Sequence, residues 1–391
     1  MDKSIKELLD ILKITYINME IDITVTDPKR LYLIAKENGV SGSIYETIKN
    51  HIEDKEILSK FKKDFYLYVS DDTRKSEIQK NISMCLNSRE IKHIFLKGSE
   101  LKQMYPKSYM RSMGDIDVLL KPDEMDRAKE VLIENNYKLH GLGAVHDTVR
   151  YGKLDIELHR RLILVADYPE FNILESIWDS TTKEVEYEFR INPEMDLIYL
   201  LAHIKKHMVT VGVGLRNIID IGIYLNYYKG KMDVRLLKEL LTISSSLAFF
   251  ESLLLINEKY LNLELKDYYK VDKELDEDLY EVFTEYIVRS GVHGLGMDFN
   301  TFTNRFAGAD KAHSTKNKKL LRMVFPRYSS LKYIYPRLLK YNLLLPIAWI
   351  ARWFKLFFID KKRTNFKLSL LKKMNKEYVK EVNELFSRMG L

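Results

Sequence analysis

The stretch "DIDVLL" at 115–120 constrains the fold more than any other, because two carboxylates two residues apart lead an otherwise apolar strand. Side chains alternate along a strand, so Asp115 and Asp117 share one face while Ile116 and Val118 take the other. Like charges side by side repel, and Asp is a poor strand former. The pattern calls for a sheet with one dry face and one polar face, and for something positive between the acids. A solvated strand edge is the bland alternative, and the flanking sequence has to decide.

Upstream, "FLKGSE" reads as an apolar strand ending in Lys97-Gly98-Ser99 at a helix start. Glycine lets backbone N–H groups approach a phosphate, and the Ser99 hydroxyl can join them. Lys97 points opposite to Leu96 and Gly98, a candidate to reach a triphosphate, brace a carboxylate or form a structural salt bridge. Downstream, "KLDIELH" alternates again, with Asp155, Glu157 and His159 on one face and Leu154, Ile156 and Leu158 on the other. If the two strands lie close, a third carboxylate joins the pair. Three carboxylates beside a phosphate-binding turn make a site for Mg²⁺ (or Mn²⁺), which shares oxygen ligands with substrate phosphates. Two such ions can activate a hydroxyl and stabilise a leaving pyrophosphate.

Around this unit the texture is helical. Residues 1–90 read as helices: "DPKRLYLIAKENGV" has an Asp27 cap, Pro28 at the first helical position and Gly39 at its end. A second cap opens "SGSIYETIKNHI", and a long helix covers about 55–88. Residues 91–192 read as a mixed α/β core. It has a short helix stopped by Pro106, an amphipathic helix in "KPDEMDRAKEVLIENNY", a hairpin turning at Gly152-Lys153 and a strand near "KEVEYEFRI". Helical spacing near 194–208, 215–229, 233–242, 245–261 and 273–288 suggests a bundle over 193–295. Residues 296–391 form a basic linker, loop-rich to about 330, and C-terminal amphipathic helices near 331–358 and 369–388.

The order of strand, Gly-Ser, helix, Asp-x-Asp strand and third acid strand resembles the nucleotidyltransferase superfamily that includes DNA polymerase β. More narrowly, "FLKGSELKQMYP", "RSMGDIDVLL", "AKEVLIENNYKL", "IELHRRL", "LIYLLAHIKKH", "LRNIIDIGIYL" and "YPRLLKYNLLLPIAWIAR" resemble the bacterial nucleotidyltransferase family proteins, over roughly 90–355. The resemblance implies an α+β fold: a mixed-sheet nucleotidyltransferase core between an N-terminal helical region and a C-terminal helical bundle. It implies Mg-dependent transfer of a nucleoside monophosphate from an NTP to an acceptor, releasing pyrophosphate. Gly98 and Ser99 match the phosphate turn, Asp115 and Asp117 the metal pair, and Glu157 best matches the third acid, with Asp155 a competitor. The interval from Gly98 to Asp115 is longer than in many superfamily members. Within it Arg111 is a candidate phosphate contact, with a surface arginine as the alternative. The acceptor (sugar, peptide, protein or tRNA) is not readable.

Other residues carry weaker signals. His203 and His207, four apart on one helix, have a spacing that suits zinc, but no third ligand accompanies them. A core histidine pair is one milder reading. The resemblance favours another, a helix lining the cleft with Lys206 or His207 near phosphate. Arg216 and Asp220 are expected to form an ion pair. His146 and His159 are candidates for contact with the acceptor. A non-catalytic nucleotide- or partner-binding module is the rival function, and the intact acid set argues against it.

The net charge of +7 hides an asymmetry: residues 311–376 hold 18 Lys and Arg against one acid, Asp360, so the remainder is acidic on balance. A basic tail suits phosphates of lipid or nucleic acid. "KYNLLLPIAWIARWFKLFFID" is interrupted by Pro346, Arg352 and Lys355, so it is not expected to span a bilayer. Trp349, Trp353 and Phe357 instead form a stripe. That stripe either packs internally or lies on a membrane surface, with Lys361, Lys362 and Arg363 at acidic headgroups and peripheral contact over 331–363. One cysteine, Cys85, and an N-terminus without a signal-peptide pattern point to a reducing, cytoplasmic setting.

Overall fold

The structure, a computed structural model, describes residues 1–210, 212–292, 324–326, 328–331, 342–359 and 376–391. The chain opens with helices α1 (Lys3–Ile17), α2 (Pro28–Glu37), α3 (Tyr45–Ile48) and the long α4 (Lys55–Asn87). The Asp27 cap read from sequence acts as such, its carboxylate accepting from the Arg30 N–H with Pro28 in the first turn. The second does not: α3 has no side-chain cap, because Ser41 and Ser43 donate to Asp64 and to the Met110 carbonyl instead. Gly39, at φ +70°, follows the end of α2.

The α+β core carries a seven-stranded mixed sheet built from β1 (His93–Leu96), β2 (Ile116–Leu120), β3 (Lys138–Gly141), β4 (His146–Tyr151), β5 (Leu154–His159), β6 (Thr181–Val185) and β7 (Glu188–Ile191). Its order is β3-β4-β5-β2-β1-β7-β6. β2 sits centrally, antiparallel to β1 and parallel to β5. The short α5 (Gly98–Leu101) leaves β1, and α6 (Met125–Glu134) follows β2. The expected hairpin closes on two residues, Gly152 and Lys153, with Gly152 at φ +59°. Two expectations need correction. The single strand near 183–191 is a hairpin, β6 against β7. The helix before Pro106 is one turn that tightens into 3₁₀ geometry at Lys102–Met104.

The alternation in β2 and β5 divides two cores. Ile116, Val118 and Leu120, with Leu154, Ile156 and Leu158, pack under α4 and α6. Leu119 joins the other, larger cluster, shared with the helices beyond residue 192. Asp117 and Glu157, odd-numbered like Leu119, therefore face that second layer. It consists of α7 (Pro193–Met208), α8 (Leu215–Tyr228), α9 (Val234–Ile243), α10 (Leu247–Leu261), the short α11 (Lys266–Tyr269) and α12 (Glu277–Ser290).

The helix Lys376–Arg388 returns to this layer. Val382, Leu385 and Phe386 enter the main core, and Arg388 pairs with Asp276 and Asp278 at 2.7 Å each. The aromatic helix Leu345–Phe354 instead belongs to a small separate cluster with Tyr328 and Leu331. Its tryptophans turn onto their own chain. Trp349 and Trp353 donate to the Pro326 and Val324 carbonyls at 2.9 and 2.8 Å, and Phe325 packs edge-on against both rings. The open face carries other residues: Leu343, Ile347, Ile350, Phe354 and Phe358, the first 91% exposed. The side chain of Phe357, Lys361, Lys362, Arg363 and most of the 296–330 linker lie outside the described residues. No helix among the described residues is long and apolar enough to cross a membrane.

Candidate active site

Register assembles the acids. Asp117 pairs with Leu96 of β1 on one side and with Glu157 of β5 on the other. Parallel pairing sets Glu157 level with Asp117, and Asp115 follows on the same face just before β2 begins. One oxygen from each of the three carboxylates lies within 4.8 Å of the others. Asp155 does not join them. One strand step away and half exposed, it takes a bidentate pair with Arg150 at 2.6 and 3.0 Å.

The positive partner demanded by the sequence is supplied by the chain itself. Lys97 holds a left-handed backbone (φ +50°) where β1 turns into α5, a conformation that costs a non-glycine residue of order 1–3 kcal/mol. Its Nζ donates to Asp117 at 2.7 Å. From the other side, His159 Nε2 lies 2.8 Å from the same Asp117 oxygen and 3.2 Å from Glu157. His146 on β4, opposite His159 in the ladder, places Nδ1 3.2 Å from that same Glu157 oxygen.

These contacts set the charges. Burial opposes ionisation of Asp117, but Lys97 and His159 outweigh it and hold the carboxyl well below its usual range. Glu157 is likewise lowered, the His159 hydrogen bond outweighing burial. Burial disfavours the charged forms of Lys97 and His159 too, yet the facing acids raise both. Asp115 lacks such a partner, and burial, then Asp117, push it up to about 6.

Helix α7 roofs the acids. Tyr199 lies beside Lys97 with its buried hydroxyl lacking a hydrogen-bond partner. The rings of His203 and His207 are 4.3 Å apart. Burial lowers His203 well below its usual range, with Lys97 the next cause, and lowers His207 to about 4, with Lys206 next. Lys206, lowered by burial and then by Lys97, feels the opposing pull of Glu157 and Asp117. It has no ion-pair partner among the described residues. Among the described residues the two histidines do not gather a third ligand; the converging groups lie on the strands.

Beneath the phosphate-turn candidates, Gly98 is needed for close approach: a Cβ would meet Met113 Cγ at 2.9 Å and Arg111 Nη1 at 3.0 Å. The Ser99 hydroxyl is buried without a partner. Two sequence expectations are corrected here. Arg111, expected at a phosphate or on the surface, is buried and bidentate to Asp220 through Nε and Nη2, at 3.1 and 2.7 Å. The expected Arg216–Asp220 pair is thereby displaced, since Tyr105 also donates to Asp220 at 2.8 Å. Arg216 donates instead to the Ser112 carbonyl and hydroxyl at 2.8 and 2.9 Å. Burial, then Arg111, lowers it to about 10.

Sequence reasoning missed Tyr199, whose place on α7 was legible but whose target was not, and Lys75. The Lys75 amine, from α4, holds the Met113 carbonyl and pairs with Asp71 at 2.6 Å. Beside it lies a cavity of about 270 Å³ lined by Tyr68, Asp71, Lys75, Tyr109 and Met113, which no sequence signal announced.

A family model described as an uncharacterised nucleotidyltransferase matches residues 24–262. No curated protein and no solved structure matches the chain.

Proposed function

The chain belongs to the uncharacterised nucleotidyltransferase family, and from that premise we propose that it transfers a nucleoside monophosphate from an NTP to an acceptor, with Mg²⁺ or Mn²⁺ and release of pyrophosphate. The observation that carries this reading is the convergence of Asp115, Asp117 and Glu157 on one sheet face. Three carboxylates with oxygens this close fit a hard divalent cation that keeps positions open for phosphate oxygens. Bound there, the cation would supply charge neutralisation for the developing pyrophosphate.

The chain's own residues do the rest. Lys97 and His159 keep Asp117 and Glu157 ionised and fix their rotamers. Gly98 and Ser99 hold the β- and γ-phosphates, supported by the bare approach at Gly98 and the orphaned Ser99 hydroxyl. Lys206, with His207 beside it, meets the phosphates from the roof. Arg111 braces the loop through Asp220 rather than touching the nucleotide.

The test is incubation of the full chain with each labelled NTP and Mg²⁺ or Mn²⁺. Pyrophosphate release and the masses of candidate sugars, peptides, tRNA and the protein itself are then measured. Nucleotide-dependent pyrophosphate release that Asp117→Asn abolishes is the expected result. Tight nucleotide binding without turnover would favour a non-catalytic module.

The open apolar face of Leu345–Phe354 supports a second contact, with an anionic lipid surface. Its residues are exposed, and the sequence around them is strongly basic. The contact is peripheral.

A further inference from the structure

Next to the carboxylate triad lies a group of different chemistry. One ligand atom from each of His146, Glu157 and His159 lies within 4.8 Å of the others, contributed by the facing strands β4 and β5. Both imidazole nitrogens approach the same Glu157 oxygen at 3.2 Å. The two rings are tilted by 56° with centroids 4.9 Å apart, so neither stacks on the other.

The His146 contact is not an ordinary hydrogen bond. Its Nδ1 is shut off from solvent and has no hydrogen-bond partner, although Glu157 is 3.2 Å away. Donors around a shared metal ion look like this: with bonds near 2.0–2.2 Å, tetrahedral ligands sit roughly 3.4 Å apart.

We propose that His146, Glu157 and His159 form a second metal site, which takes a borderline divalent transition metal of the zinc class rather than Mg²⁺. Two imidazoles and one carboxylate match that class, whereas Mg²⁺ prefers oxygen ligands alone. Three protein ligands leave a coordination position open. Glu157 bridges this site and the carboxylate triad. The metal would take the place of the proton through which His159 Nε2 bonds Asp117 at 2.8 Å, and Lys97 would remain as the partner of Asp117 on the β1 side. Lys129 and Arg160 are engaged by Asp147, whose side chain is next along β4. The site shares a residue with the proposed nucleotidyl-transfer centre but does not depend on that activity.

The experiment uses the full chain freed of metal by a chelator and titrated with Co²⁺ as a visible probe, with Zn²⁺ as competitor. The expected result is one equivalent of Co²⁺ with the intense visible bands of four- or five-coordinate ligation, displaced by Zn²⁺. His146→Ala, at a partly exposed strand position, should weaken Co²⁺ by about a hundredfold or more and remove those bands. His146→Gln keeps the side-chain bulk and should do the same, which covers the case in which the alanine variant misfolds. Asp115→Asn should leave the Co²⁺ spectrum intact while abolishing Mg²⁺-dependent nucleotide transfer, so the two centres fail separately. A weak six-coordinate spectrum unchanged by either His146 variant, or no Co²⁺ uptake, overturns the proposal.

Discussion

Asp115 and Asp117 stand on one strand face yet titrate in opposite directions, because Lys97 and His159 bond Asp117 directly, whereas Asp115 feels Lys97 only through space and burial and Asp117 outweigh it. Repulsion between two strand acids predicts, from sequence, that removing either charge relieves the apo protein. For Asp117 the structure reverses that expectation. Asp117→Asn leaves a buried ammonium and imidazolium facing a neutral amide, so it should lower apo stability by roughly 3 kcal/mol. Asp115→Asn should leave stability unchanged or raise it. Urea melts of both variants check the ranking, and equal effects would mean the Lys97 pair contributes nothing. The pH dependence follows with a definite sign. A carboxyl whose folded pKa is raised binds its proton more tightly in the native state, so ionising it costs stability. Asp115 should therefore reduce stability progressively as pH rises from about 4 to about 6, with no further change above. The difference between parent and Asp115→Asn melts across that range isolates the effect.

At the scale of elements, the segment 112–114 that delivers Asp115 has little regular structure and is fixed by cations. Arg111 Nη1 and Arg216 hold the Ser112 carbonyl, and Lys75 holds that of Met113. Lys75→Met would leave the part-buried Met113 carbonyl without its donor and should cost ~1 kcal/mol. Nucleotide turnover should fall further than the melting temperature implies, because Asp115 loses its anchor. Melts and pyrophosphate assays on the same variant compare the two losses, and parallel losses would assign Lys75 a purely structural role. The period-2 runs at β2 and β5 made those strands, their faces and the third acid legible in sequence. β3 was not, since Lys138, Leu139 and His140 are all exposed and show no buried alternation. Nor was Arg111's partner, because no local pattern names an aspartate on α8.

Across the molecule, the helical bundle, the mixed core and the C-terminal aromatic helix were readable from spacing, but which aromatic face lay open was not. Phe325 decides it by packing against both tryptophans, and its position carries no periodic signal. Ile350→Ser with Phe354→Ser should therefore weaken binding to anionic vesicles tenfold or more, each side chain being worth about 1.5–3 kcal/mol when buried, without shifting the melt. Trp353→Ala should instead lower the melt; flotation and calorimetry distinguish the outcomes.

The Arg111–Asp220 pair bears on when the protein becomes competent during synthesis. Its partners lie 109 residues apart in sequence, and closing so long a span is slow relative to local helix formation. Until residue 220 has emerged, the arginine beneath Gly98 has no buried counterion and the Asp115 segment has no fixed course. A nascent chain stalled before α8 would carry all three acids without the aspartate that anchors the loop leading into them.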